Sequence, residues 1–424
     1  MQAAALGHVR ETLVGTDSVA IVGANLAGGH VAAALRNEGF GGRILLIGAE
    51  PHRPYDRPPV SKELLTGAKS AEDTFLHPQP WYQDHEIELL LGETVDSIET
   101  ARPSVTLRSG PRIAVDRIVL CTGGRARRLD IPGGDLAGIH YLRTLDDAAA
   151  LRADLAQPRR VVVVGSGFIG AEAAASARCM GHDVTIVEFD PRPFTRVLGS
   201  EVGALVERLH SVNGVIIRGG VNVARFVGTE RVEAVEGADG ERFEADVVIV
   251  GIGMEPATEL ASQAHLTVAN GVWVNEFCES SHPSVLVAGD VANQHNPFVG
   301  ERIRLEHWQN ALHQAGTVAR TIVDLREPNV AVPWYWSNQF DLELQIAGHS
   351  APNDEVVFRG EPESGSFSAL HLREGRIVAA ISANRPRELR AALRLIERRA
   401  TVDATVLRDD DRDLSDALTA PMTP

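Results

Sequence analysis

Gly165-Ser166-Gly167-Phe168-Ile169-Gly170 follows four valines at 161–164 and opens an alanine-rich stretch. In a G-x-G-x-x-G turn the first glycine allows the tight bend. The second lets backbone approach a pyrophosphate, and the third lets helix and strand pack closely. The helix that follows would aim unspent N–H groups and the positive end of its dipole at the phosphates. Glu188 closes the next apolar run. Its carboxylate can accept a hydrogen bond from an adenosine ribose 2′-OH. It would repel a 2′-phosphate by roughly 4 kcal/mol per charge pair at ~4 Å in a partly screened site. Only Arg192 follows nearby to compensate, so the pattern favours NADH over NADPH.

A less complete copy stands earlier, Gly23-Ala24-Asn25-Leu26-Ala27-Gly28, with Glu50 closing the strand after it. Asn25 occupies the middle-glycine place. Asparagine tolerates positive φ better than most residues, so the turn is expected to survive with a less open approach to phosphate. Two such turns in one chain imply two dinucleotides, and the usual pair is a flavin and a nicotinamide.

Tyr55-Asp56-Arg57-Pro58-Pro59-Val60-Ser61-Lys62 is the sharpest local oddity. The prolines stiffen the approach, Ser61 is expected to cap the helix that follows, and Lys62 falls in its first turn. A cation there opposes the helix dipole by about 0.3–1 kcal/mol, which makes lysine a poor structural choice and a better functional one. The three cysteines, Cys121, Cys179 and Cys278, are widely spaced and include no C-x-x-C, so neither a zinc site nor a thioredoxin-like pair is expected. They fit a reducing cytoplasm.

The elements that must position these residues are two βαβ units. Residues 18–22, the Gly23 turn and helix, and 43–50 form one; residues 161–188 repeat the plan. Apolar strands at 117–124, 246–253 and 284–290 end in or near glycine, as strands do where doubly wound sheets bind ligands. From Pro333 the pattern turns aromatic and alternating, with a hairpin at Glu374–Gly375 and a helix starting near Pro386. The expected fold class is α/β: two Rossmann-like dinucleotide domains plus a C-terminal α+β interface domain. At 424 residues the chain suits two to three domains. The net charge of −16 argues against nucleic acid, no apolar run is long enough for a membrane span, and 1–17 reads as a loose extension rather than a secretory signal.

PPVSKELL, GSGFIGAE, SVLVAGDVA, LEHWQNALHQAG and PWYWSNQFDLELQIAG together resemble the FAD-dependent ferredoxin and rubredoxin reductases that serve aromatic-ring dioxygenases and bacterial cytochromes P450. The likeness runs from about residue 18 to 396. It implies an FAD domain over 18–130 and 257–330, an NAD domain over 131–256 inserted in it, and an interface domain over 331–424. By the same resemblance Ala27, Glu50, Arg57, Lys62, Val95, Thr122, Gly123, Arg143 and Asp290 would contact FAD beside the Gly23-Asn25-Gly28 turn. Gly165, Gly167, Phe168, Ile169, Gly170, Glu188 and Gly253 would hold NADH. Glu172 would pair with Lys62 beside the flavin and help place the nicotinamide, and Trp308 would lie against the isoalloxazine on the electrons' way out. Asn25 for glycine, and Asn338 where the family's pattern carries an acid, are departures.

The resemblance implies hydride transfer from NADH to FAD, then single electrons to an iron–sulfur protein, a [2Fe–2S] ferredoxin first among candidates. Disulfide reductases and NADH peroxidases of similar fold need a redox cysteine near the flavin. None stands here, so outer-sphere transfer is expected. Arg387, Arg390, Arg394 and Arg398 form one helical stripe on an acidic protein, and the first three are expected to help dock the partner. A rubredoxin reductase, an NADH oxidase or quinone reductase, and a flavin-binding protein of apoptosis-inducing-factor type remain alternatives.

Overall fold

The computed structural model describes residues 17–417; apart from Asp17, the N-terminal extension read from sequence lies outside them. The first βαβ unit builds a five-stranded parallel sheet in the order Val285–Val287, Arg117–Leu120, Ser18–Val22, Arg43–Gly48, Ile87–Leu91. Its strands are apolar on both faces because both faces are covered. Val19 and Ile21 meet the helices Leu26–Asn37 and Trp308–Ile322. Their alternates Ala20 and Val22 meet Ile98, Val105 and Val272 on the other side.

The second unit repeats the plan with Ile216–Gly219, Asp183–Glu188, Arg160–Val164, Val247–Val250 and Ile139–Tyr141, all parallel. Val161 and Val163 pack under the helix Phe168–Cys179, while Val162 and Val164 face Phe226 and Val235. The chain passes from one unit to the other through Gly124–Ala126 and returns through Met254–Pro256, and these two segments pair antiparallel.

The remainder folds as an antiparallel sheet, Trp334–Gln339, Leu342–Gly348, Arg376–Ala383, Ser366–Arg373, Glu355–Glu361. Glu374 and Gly375 both take positive φ, 52° and 70°, as a two-residue hairpin of this twist requires. Period-two alternation gives the sheet two jobs. Leu344, Phe367, Ile381 and Ala383 join the core of the second dinucleotide unit. Ala347, Leu370 and Ala380 meet Leu389, Leu395 and Ile396 of the helix Pro386–Glu397. No helix among the described residues is long and apolar enough to cross a membrane.

Candidate active site

The two glycine turns sit at the carboxyl edges of the two parallel sheets. Gly23 and Gly165 take φ of 113° and 100°. A Cβ on Gly28 would lie 1.9 Å from the Gly23 carbonyl oxygen, and one on Gly170 would lie 2.2 Å from that of Gly165. Those third glycines are therefore packing positions. Gly167 differs: a Cβ there meets nothing nearer than 3.9 Å. It caps the helix Phe168–Cys179 with no side-chain bond, and the first turn holds no acid. Open space in front of an uncapped, acid-free helix N-terminus suits a dinucleotide's phosphates. Gly253, with φ 94° and nothing within 4 Å of a Cβ, leaves the neighbouring loop equally open. Ile169 is 47% exposed beside it, while Phe168 packs inward against Tyr335. Glu188 Oε2 accepts from the Ser166 N–H and from its hydroxyl, each at 2.6 Å, which ties the acidic residue to the turn it serves.

Asn25 works by another route than the one expected from its type. Its φ is −119°, so no tolerance of positive φ is used; its Oδ1 accepts from Leu26 N (2.9 Å) and caps the helix. Its amide then donates to Glu50 Oε1 at 3.3 Å, and Tyr55 donates to Glu50 Oε2 at 2.7 Å. Arg57 lies 3.7 Å from Glu50 and donates to the Arg143 carbonyl at 2.6 Å. Arg143 donates to Asp290 at 2.7 Å. Burial first, and then the Arg143 charge, pull the Arg57 guanidinium below its ordinary pKa. Two half-buried guanidiniums between two carboxylates offer charge and hydrogen-bonding groups that suit an anionic, hydroxyl-bearing ligand such as FAD. Ala27 abuts Gly289, Gly123 lies against Arg143, and Thr122 donates to Ala257 O at 2.7 Å. Val95 is buried in the core beneath the sheet and presents no polar side-chain atom.

Glu172, on the helix Phe168–Cys179, is only 3% exposed. Its Oε2 accepts from Ser61 Oγ (2.6 Å) and Lys62 Nζ (2.9 Å). Its Oε1 accepts from Ser337 Oγ (2.8 Å) and Asn338 N (3.3 Å). Ser61 does not cap the short helix Glu63–Thr66: Lys62 holds the N-cap place with no side-chain bond, and the Ser61 hydroxyl is spent on Glu172. A charge buried this deeply must be paired and hydrogen-bonded, and this one is.

Trp308 heads its helix, its indole N–H donating to Asp56 Oδ1 at 2.7 Å. Its ring meets Trp336 edge-on at 5.9 Å, and Trp336 stacks on Trp334 at 5.5 Å. The sequence assigns no role to Asp56, Trp334 or Trp336, because the contacts of Trp308 join segments far apart in the chain. Cys121 and Cys278 are buried, burial pushing the Cys121 thiol up to about 12 and Cys278 up as well; Cys179 is free and exposed. No cysteine pair offers redox chemistry among the described residues. Arg387, Arg390, Arg394 and Arg398 are exposed, as their spacing predicts. Their helix, however, covers the sheet face opposite the one from which Ser337 reaches Glu172, so the whole sheet separates them from that carboxylate.

Comparison with known proteins adds to this geometry. The family described as pyridine nucleotide-disulphide oxidoreductase matches residues 17–315, and the reductase C-terminal family matches 334–418. A ferredoxin–NAD(P)(+) reductase of Sphingomonas sp. is 40% identical over 91% of this chain and 94% of its own length. The ferredoxin–NAD(+) reductase component of the biphenyl dioxygenase system of Paraburkholderia xenovorans is 40% identical over 95% and 99%. The covalent putidaredoxin reductase–putidaredoxin complex superposes with a TM-score of 0.92 at 38% identity, covering 95% of this chain and 98% of that one.

Proposed function

Since this chain belongs to the pyridine nucleotide-disulphide oxidoreductase family, we propose that it is an FAD-dependent NADH:ferredoxin oxidoreductase. It takes a hydride from NADH and passes single electrons to a small iron–sulfur protein, a [2Fe–2S] ferredoxin serving a cytochrome P450 or a ring-hydroxylating oxygenase. The observation that carries the reading is the Lys62–Glu172 pair, buried where the two dinucleotide units meet, with no cysteine pair beside it. FAD, when bound, supplies the exchange between two-electron and one-electron chemistry.

Every other task falls to the chain. Asn25, Glu50, Arg57, Arg143 and Asp290 bind and orient the flavin nucleotide. Gly167 and the helix behind it receive the NADH pyrophosphate, and Glu188 accepts from the adenosine ribose while repelling a 2′-phosphate. Glu172, held from four sides, fixes Lys62 and with it the placement of the nicotinamide. Trp308, anchored on Asp56 and followed by Trp336 and Trp334, marks the apolar way outward. We read 18–130 and 257–330 as the FAD domain, 131–256 as the NAD domain and 331–424 as the interface domain, and we place the protein in the cytoplasm, where its free thiols stay reduced.

Steady-state reduction of purified [2Fe–2S] ferredoxins, with NADH and NADPH compared, tests this. The reading expects turnover with at least one ferredoxin and a kcat/KM for NADH at least tenfold above that for NADPH. A preference for NADPH would refute the role of Glu188; turnover with dioxygen or quinones alone would favour an oxidase.

A further inference from the structure

Glu172 is served from one side by a line of buried polar groups that the hydride-transfer reading does not require. Ser337 Oγ donates to Glu172 Oε1 at 2.8 Å; Gln339 Nε2 donates to Ser337 Oγ at 3.1 Å; His210 Nε2 lies 2.8 Å from Gln339 Oε1. None of Ser337, Gln339 and His210 is more than 1% exposed. They come from two separate elements, the strand Trp334–Gln339 and the helix Thr195–Val212, and they converge on a carboxylate carried by a third, the helix Phe168–Cys179.

The direction of the line follows from its last member. A hydroxyl facing a carboxylate oxygen must donate to it, so Ser337 accepts from the Gln339 amide. The Gln339 carbonyl is then left as an acceptor, and His210 must present an Nε2–H. His210 Nδ1 is buried without a partner, between Phe194 at 5.3 Å and Phe340 at 5.1 Å. That environment suits a neutral ring with a bare Nδ1. Each donor in such a line polarises the next, and all of them point at one oxygen. A buried polar line is a costly way to fill a core that apolar side chains could fill, so its aim calls for a reason.

We propose that Ser337, Gln339 and His210 are positioning residues for hydride transfer. By fixing Glu172 Oε1 from the C-terminal sheet they hold the opposite oxygen, Oε2, in register with Lys62. The inference rests on the functional reading above. It adds that the C-terminal sheet sets the geometry of the NADH half-reaction as well as covering the two dinucleotide units.

Anaerobic stopped-flow on the FAD-loaded protein gives the first test. Ser337→Ala is expected to lower the limiting rate of flavin reduction by NADH about tenfold, with NADH affinity and ferricyanide reoxidation of dithionite-reduced flavin unchanged. Ser337→Thr, which restores the hydroxyl, is expected to recover most of that loss. A Ser337→Ala limiting rate equal to wild type would overturn the proposal. Imidazole nitrogen NMR of the oxidised wild-type protein is the second test and needs no variant to fold. It should find His210 as the Nε2–H tautomer, whereas an Nδ1–H tautomer would reverse the line and sink the proposal. Wild-type protein that binds FAD but is never reduced by NADH would instead refute the functional reading, and this inference with it.

Discussion

The four donors around Glu172 make its ion pair lopsided. Among the described residues the Lys62 ammonium bonds to Glu172 alone, whereas Glu172 keeps Ser61, Ser337 and the Asn338 N–H if the lysine is lost. Removing the carboxylate strands a partly buried ammonium and leaves two buried hydroxyls without their acceptor. Glu172→Leu is therefore expected to destabilise by about 3–5 kcal/mol, and Lys62→Met by clearly less, although both slow flavin reduction by NADH. Urea unfolding of the two variants checks this; equal losses would mean that the surrounding donors do not hold the carboxylate. His307, beside Trp308, behaves differently. Burial lowers it to about 4 from 6.5, outweighing the pull of Asp290. Between those values the unfolded chain carries a proton that the folded protein refuses. Stability present above pH 6.5 is thus lost as pH falls, by up to about 1.4 kcal/mol per pH unit and about 3 kcal/mol in all. His30, His182, His210 and His371 are shifted the same way, chiefly by burial. Asp354 and Glu279, by contrast, are held below the ordinary carboxylate range against the effect of their burial, by hydrogen bonds from Arg373 and from Asn275 and Arg326. Urea midpoints measured from pH 6.5 to 5.5 should fall, and less steeply in His307→Gln; an unchanged slope would show that His307 is not buried neutral.

At the scale of elements the glycine turns divide by function. Gly167→Ala places a methyl in open space, so the fold should hold while NADH binds at least tenfold more weakly. Gly170→Ala forces the helix away from its strand, costs about 1–3 kcal/mol and harms both. Thermal melts beside NADH titrations separate the two, and equal loss of stability in both variants would contradict the assignment. The βαβ units, the hairpin at Glu374–Gly375 and the helix from Pro386 were legible because each is written in local periodicity and turn chemistry. The Lys62–Glu172 pair came from resemblance, since its members lie 110 positions apart. Ser61 was misread as a cap and Asn25 as a positive-φ residue for the same reason. Local rules describe what a side chain can do for its own turn, while Ser61 is spent across the fold on Glu172 and Asn25 divides its amide between its own helix and Glu50. The tryptophan contacts and the His210 line had no local signal at all.

The whole molecule joins its two dinucleotide units through one buried ion pair, and the C-terminal sheet holds that pair through Ser337 and the Asn338 N–H. The arginine stripe lies on the helix that covers the outer face of that sheet, the face to which the edge strand also turns Trp334 and Trp336, with Trp308 meeting Trp336 from the helix Trp308–Ile322. The central claim, that reduction enters as NADH hydride and leaves as single electrons, is tested most directly by anaerobic double-mixing stopped-flow. NADH should bleach the flavin within one turnover, and a second mix with oxidised [2Fe–2S] ferredoxin should restore the flavin spectrum in two successive one-electron phases. A flavin reduced by NADH that no [2Fe–2S] ferredoxin reoxidises, yet dioxygen does promptly, would contradict it.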